Sequence, residues 1–311
     1  MALTIDCDTD AICSIEECIE TALDNIDPAS FDSMLALAPM LKKLSNNSAA
    51  VSGVLCGYLK DFASVDYGGM NYSPNSFLLS ASHPNIILRA NIWRPLCKET
   101  ERQAFEANLF AYHRAHNHNF HFLTVGHFGP GYYTDIYGYD REKLTGGIGE
   151  KVDLLHRERT CLSTGKVMAY HAAYDVHTQF PPESTSVSLN LIVACDDDRH
   201  RDQYFFDTRQ SVLTGYSDTV PTKRVSMLQI AAYLANENIV DVLHHIASVH
   251  PCHRTRLQAF RSLAIASPEH IEHWRSLSRQ DGTDMVRSFG SDSMAVSNAQ
   301  KDFDPAFMQL V

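Results

Sequence analysis

Two histidines separated by one residue, His116-Asn117-His118, are the strongest chemical signal in this sequence. Neutral imidazoles are ready ligands for transition metals, and on an extended strand residues i and i+2 project from one face. On such a strand, His116 and His118 reach the same ion. They belong to a histidine-rich stretch, because His113, His116, His118, His121 and His127 fall within fifteen residues. His121 has the opposite parity and is expected to point away, towards the surface or a hydrogen-bond partner. His113 and His127 are expected in turns, the second just before Gly129-Pro130-Gly131. A later strand carries His177, twelve residues after Gly165, with His171 as its rival at the end of the preceding strand.

Other chemistries lack their signatures. The eight cysteines form no CxxC pair, which fits reduced thiols better than a disulfide frame or a thiolate zinc site. No GxGxxG, P-loop or Gly-x-Ser-x-Gly occurs, so neither a nucleotide cofactor nor a serine nucleophile is indicated. The net charge of −11 argues against nucleic acid and anionic membranes as partners, since phosphate selects clustered Lys and Arg. With no run near the ~20 apolar residues that span a bilayer, and no leader pattern, the protein is expected in the cytoplasm.

The elements that must position the histidines divide the chain into four stretches. Residues 1–75 read as a helical segment, where Ser14 and Glu17 form a capping box ahead of Ile15, Cys18, Ile19, Ala22 and Leu23 at helical spacing. Residues 76–220 carry short runs of Ile, Leu, Val, Phe and Tyr broken by Gly, Pro, Asn and Asp. They read as an antiparallel β domain with strands at 76–80, 86–93, 108–113, 116–125, 132–139, 155–161, 166–171, 176–180, 186–194 and 204–207. Residues 221–281 return to helical periodicity, and 282–311 read as a loose tail. The class is α+β.

In this setting the H-x-H strand, the glycines after it, and the Gly165-to-His177 run resemble the two metal-binding motifs of the cupin superfamily. The resemblance implies an antiparallel double-stranded β-helix barrel with His116, His118 and His177 as ligands of one metal. The usual cupin glutamate is missing, since Phe122 and Leu123 stand four and five residues after His118. That narrows the likeness to three-histidine cupins, and thiol dioxygenases of the cysteine dioxygenase type are the most similar. Ile87-Leu88-Arg89-Ala90-Asn91 resembles the strand whose arginine binds substrate carboxylate in that family, which makes Arg89 the implied anchor. Ser186-Val187-Ser188-Leu189-Asn190-Leu191-Ile192 resembles the strand after the third ligand. Ser188 matches a family serine, whereas Asn190 replaces a histidine and Ile192 a tyrosine.

Three neutral imidazoles leave an octahedral metal with three open positions, enough for a bidentate anion and dioxygen. Iron(II) suits such redox work, while zinc, copper and nickel accept the same ligands. The expected activity is a mononuclear non-haem iron(II) oxygenase acting on a small carboxylate-bearing, amino-acid-like substrate. Two alternatives are a redox-neutral metallocupin (isomerase, lyase or hydrolase) and a non-catalytic ligand sensor read out by the C-terminal helices. Tyr133, Tyr137 and Tyr139 share a face, so Tyr133 or Tyr137 is expected to give a proton to bound oxygen, with Ser188 the third catalytic candidate. Arg89, Asn190 and Glu183 are the substrate-binding candidates, Glu183 for a substrate amine; Arg94, Arg102 and Arg157 are substitutes for Arg89. The C-terminal helices offer a homodimer interface.

Overall fold

The computed structural model describes residues 2–60, 75–217, 219–234 and 236–291. Its internal contacts divide the chain into two units, one of Met1–Arg141, Asp153–Arg199 and Phe205–Ser211, the other of Glu142–Val152, His200–Tyr204 and Val212–Val311.

The first unit opens with strand β1 (Leu3–Ile5) and helices α1 (Ile15–Asn25), α2 (Phe31–Leu35), α3 (Ala38–Asn46) and α4 (Ser48–Lys60). The capping box starts α1 as expected: Ser14 Oγ accepts from the Glu17 amide at 3.1 Å, and Glu17 Oε2 accepts from the Ser14 amide at 2.8 Å. Next come β2 (Ser76–His83), β3 (Ile86–Trp93), α5 (Thr100–Leu109), β4 (Ala115–Asn117), β5 (His121–Phe128), β6 (Tyr133–Gly138), β7 (Leu155–Cys161), β8 (Val167–Tyr170), β9 (Asp175–Gln179), β10 (Ser186–Val193), the short helix α6 (Asp196–Arg199) and β11 (Tyr204–Asp207). One sheet runs β1-β8-β5-β10-β3-β2 and the other contains β11-β4-β9-β6-β7.

Neither sheet closes on itself. In place of one closed sheet the chain forms two open, antiparallel sheets. The first sheet is largely buried on both faces, which explains its Val, Leu and Ile runs. Leu88, Ala90, Leu123, Val125, Val167, Leu189 and Leu191 pack with Met34, Leu41 and Leu44 of the helices. Alternate residues Phe122, Met168, Tyr170 and Ile192 turn the other way, into a second cluster shared with Ile136 of the facing sheet. That inter-sheet space holds the candidate site.

Two strand assignments from the sequence fail. The run 108–113 is the end of α5 and a turn in which Ala111 and His113 adopt φ of 54° and 60°. Helix α5 buries only Glu106, so it shows no apolar stripe, and the aromatic run after it imitates a strand. The run 116–125 is two strands in different sheets, because the chain crosses from one sheet to the other at 118–120.

In the second unit, β12 (Val212–Tyr216) precedes helices α7 (Thr219–Tyr233), α8 (Glu237–Val249), α9 (His253–Ala266), α10 (Ile271–Ser278) and α11 (Asp284–Ser291). Leu228, Leu243, Phe260, Leu263, Trp274, Val286 and Phe289 form its core. Helix α11 occupies part of the stretch expected to be loose, because Val286 and Phe289 anchor it; residues 292–311 lie outside the described ones.

Candidate metal centre

His116 and His177 face each other across the ladder of β4 and β9, and His118 follows immediately after β4. Their Nε2 atoms converge, with 3.1 Å between His116 and His177 and 3.2 Å between His118 and His177. All three ligand atoms lie within 4.8 Å of one another, and the group contains no carboxylate. An ion with metal–nitrogen bonds of about 2.0–2.1 Å places cis ligand atoms about 3.0 Å apart in an octahedron and about 3.4 Å apart in a tetrahedron. The two distances to His177 fall in that interval.

The donor chemistry agrees. Nδ1 of His116 donates to the Arg114 carbonyl at 2.9 Å, which leaves the Nε2 lone pair directed at its neighbours. Burial lowers the His116 pKa to about 4, against that hydrogen bond, which raises it. Burial, then the charges of His116, His118 and Arg89, hold His177 well below the ordinary histidine range. The His116 and His177 rings are therefore neutral, as metal ligation by imidazole requires.

The sequence rationale for the H-x-H pair needs correction. His116 and His118 do not share one strand face, since His118 lies outside β4, at the corner where the chain changes sheet. The corner itself swings His118 towards His116, leaving the ring centroids 5.0 Å apart. Phe120 stacks on His118 at 4.7 Å, and Phe122 meets it edge-on at 5.3 Å.

The first sheet supplies a polar floor. Arg89 stands opposite Asn190 in the register of β3 and β10, and its charge acts on both His177 and Tyr132. Asn190 Oδ1 accepts from Thr124 Oγ1 at 2.7 Å, and Ser188 Oγ accepts from Trp93 Nε1 at 3.0 Å. Tyr132 packs on Trp93 with ring centroids 4.4 Å apart. Burial pushes the Tyr132 hydroxyl up to about 12, although hydrogen bonds with Gln179 and Thr124 and the charge of Arg89 pull it down. Tyr170, raised well above its usual value by burial, stacks on Phe122 and lies 5.0 Å from the His177 ring.

Among the other candidates, Ser188 and Asn190 are buried in this chamber, whereas Tyr133 and Tyr137 point out of it. Tyr133 is 54% exposed and Tyr137 packs on His156 of β7, while Ile136 between them faces inward opposite His177. The tyrosines do alternate together, on the wrong face. Glu183 is exposed in the loop after β9, outside the chamber. Arg94 lies over the Phe110 ring and Arg102 pairs with Glu106. His171 is not the third member; it packs with His121 against Phe31. His121 points away from the centre as its parity implies, and it is buried rather than on the surface.

Tyr132, Thr124, Gln179, Trp93 and Tyr170 were not among the sequence candidates. Thr124 carried a usable signal, as the polar residue inside the apolar run Phe122-Leu123-Thr124-Val125.

No protein-family model matches the chain, and no curated protein matches it. Among solved structures, the DMSP lyases RdDddP and RnDddQII give 12% identity over 39% of this chain and 47% of theirs, with a TM-score of 0.24. The DMSP lyase DddQ from Ruegeria pomeroyi DSS-3 gives 8% identity over 46% and 63%, with a TM-score of 0.26. Vicilin from hazelnut, Corylus avellana, gives 9% over 39% and 25%, with a TM-score of 0.20. The chain covers less than two thirds of each of these structures, and likenesses with TM-scores this low carry no argument about the reaction. No helix among the described residues is long and apolar enough to cross a membrane.

Proposed function

We propose that His116, His118 and His177 hold one divalent metal ion, and that the chain is a metal-dependent enzyme of the three-histidine cupin kind acting on a small carboxylate-bearing molecule. The convergence of three imidazole Nε2 atoms, with no carboxylate among them, carries this reading. Iron(II) held there would offer open positions to substrate and dioxygen, together with the electrons for oxygenation, and an iron oxygenase is the activity we favour.

The residues of the chain supply binding and proton placement. Arg89 binds the carboxylate through its planar fork, and its charge, which is felt at His177, draws that carboxylate towards the metal side of the chamber. The Thr124, Asn190 and Ser188 network orients the polar part of the substrate on the same face. Tyr132 keeps its proton at neutral pH, so its hydroxyl donates a hydrogen bond or a proton to a developing oxyanion. Phe120, Phe122 and Tyr170 exclude water from the other side of the histidines.

A protonated tyrosine in the chamber also favours a second reading, a redox-neutral lyase or isomerase in which the metal only polarises the substrate. Metal analysis of protein purified without added metal, followed by oxygen uptake and product analysis on a panel of small amino, keto and sulfonium carboxylates, separates the two. Iron with substrate-dependent oxygen uptake supports the oxygenase. Turnover that persists without oxygen overturns it in favour of the redox-neutral enzyme.

A further inference from the structure

The three histidines reach their centre from unequal supports. His116 and His177 sit on paired strands, but His118 lies outside any strand, at the 118–120 corner between the two sheets. A second corner, residues 171–174, takes the chain back between the same sheets, from β8 to β9. The two corners are bonded to each other. The Ala173 amide donates to the His118 carbonyl at 2.7 Å, and the Ala172 amide donates to Nδ1 of His121 at 2.9 Å.

The second corner is tightly built. Ala173 adopts φ of 58°, and the His171 amide donates to Asp175 Oδ2 at 2.6 Å. The His121 ring is 3% exposed and enclosed by Phe31 at 5.3 Å and His171 at 4.7 Å. Its Nδ1 lone pair is the acceptor that the buried Ala172 amide requires.

From this arrangement we infer that His121 is a positioning residue for the metal centre: by holding the Ala172 amide it fixes the 171–174 corner, whose next amide fixes the backbone of His118. This inference rests on the reading of the three histidines as a metal site. His121 itself touches neither metal nor substrate. The chain of bonds runs from an imidazole on the helix-facing side of the sheet, through two consecutive amides, to the least supported ligand. Loss of the acceptor would free the Ala172 amide to seek another partner, rotating the Ala172–Ala173 peptides and shifting His118 relative to His116 and His177. Outer residues that orient metal ligands typically change affinity on the order of 10–100-fold when removed.

The test uses the full-length protein and Co(II), whose d–d absorption reports ligand geometry without turnover. His121→Leu removes the acceptor, and His121→Asn restores one, since Oδ1 occupies nearly the place of Nδ1. The expected result is a Co(II) dissociation constant raised on the order of 10–100-fold in His121→Leu, with an altered absorption envelope, and both returned near wild type in His121→Asn. If His121→Leu does not fold, His121→Gln replaces it: its acceptor lies one bond further out, so Co(II) binding weaker than that of His121→Asn supports the proposal. Affinity and spectrum indistinguishable from wild type in the Leu variant, or in Gln as in Asn, overturn it. Should wild type bind no Co(II), or His118→Ala bind it as wild type does, the metal-site reading itself falls and this inference with it.

Discussion

The Nε2 atoms of His116 and His177 lie 3.1 Å apart across the β4–β9 ladder, although the two residues are 61 positions apart in sequence. Both rings are buried and neutral at physiological pH, so neither repels a cation.

Metal should bind at one equivalent per chain and stabilise the fold. At a free metal concentration near 100 times Kd, the gain is about 2.7 kcal/mol, read as a rise in Tm. In His177→Ala the bound metal and the Tm rise should both disappear while the far-UV circular dichroism is retained, because the two apolar clusters hold the sheets. A Tm rise of unchanged size in that variant would place the ion elsewhere.

Arg89→Ala should lower kcat/KM by a factor corresponding to about 2–5 kcal/mol, since it leaves a substrate carboxylate unpaired in a partly buried chamber. Lysine should rescue poorly, because an ammonium lacks the fork. Metal content must stay at the wild-type level for the result to count as substrate binding, and unchanged kinetics in Arg89→Ala would remove the anchor role.

Stability should decline as pH falls from about 6.5 to about 4. Burial first, then the Arg224 charge, lowers the pKa of His250 in the folded chain to about 4, and burial does the same to His121, from the ordinary histidine value of 6.5. In that window the unfolded chain binds protons that the folded chain does not, so the stabilisation present above pH 6.5 is lost on acidification. His250 Nδ1 accepts from the Cys252 amide, and the Arg224 guanidinium lies 2.8 Å from its Nε2. His250→Asn should therefore flatten the pH dependence of urea unfolding, and an unaltered slope would show that His250 contributes none of it.

Gly126→Ala should destabilise by about 1–3 kcal/mol or more, because a Cβ there would stand 2.1 Å from the Ser163 carbonyl oxygen, where two backbones meet. Gly147→Ala meets nothing within 4 Å and should be close to neutral. Urea midpoints of the two variants give the comparison, and equal midpoints would contradict the close approach at Gly126.

Local pattern alone determined much of this chain. The capping box at Ser14 and the strands 86–93, 155–161 and 204–207 follow from signals within a few residues of each other. The grouping of His116, His118 and His177 was equally legible, and the structure brings those three together. Tertiary structure decided the rest. Alternation states which side chains share a face but not which face is inside, so Tyr133 and Tyr137 were grouped correctly and sent the wrong way, while Tyr132, off that face, is the one buried against Trp93. A stretch such as 118–120 reads as continuous strand until the partners are known: β4 pairs with β9 and β11, β5 with β8 and β10. Those partners are distant in sequence. Only their pairing turns His118 through a corner towards His116 and His177, and leaves His171 on the far side with His121 and Phe31.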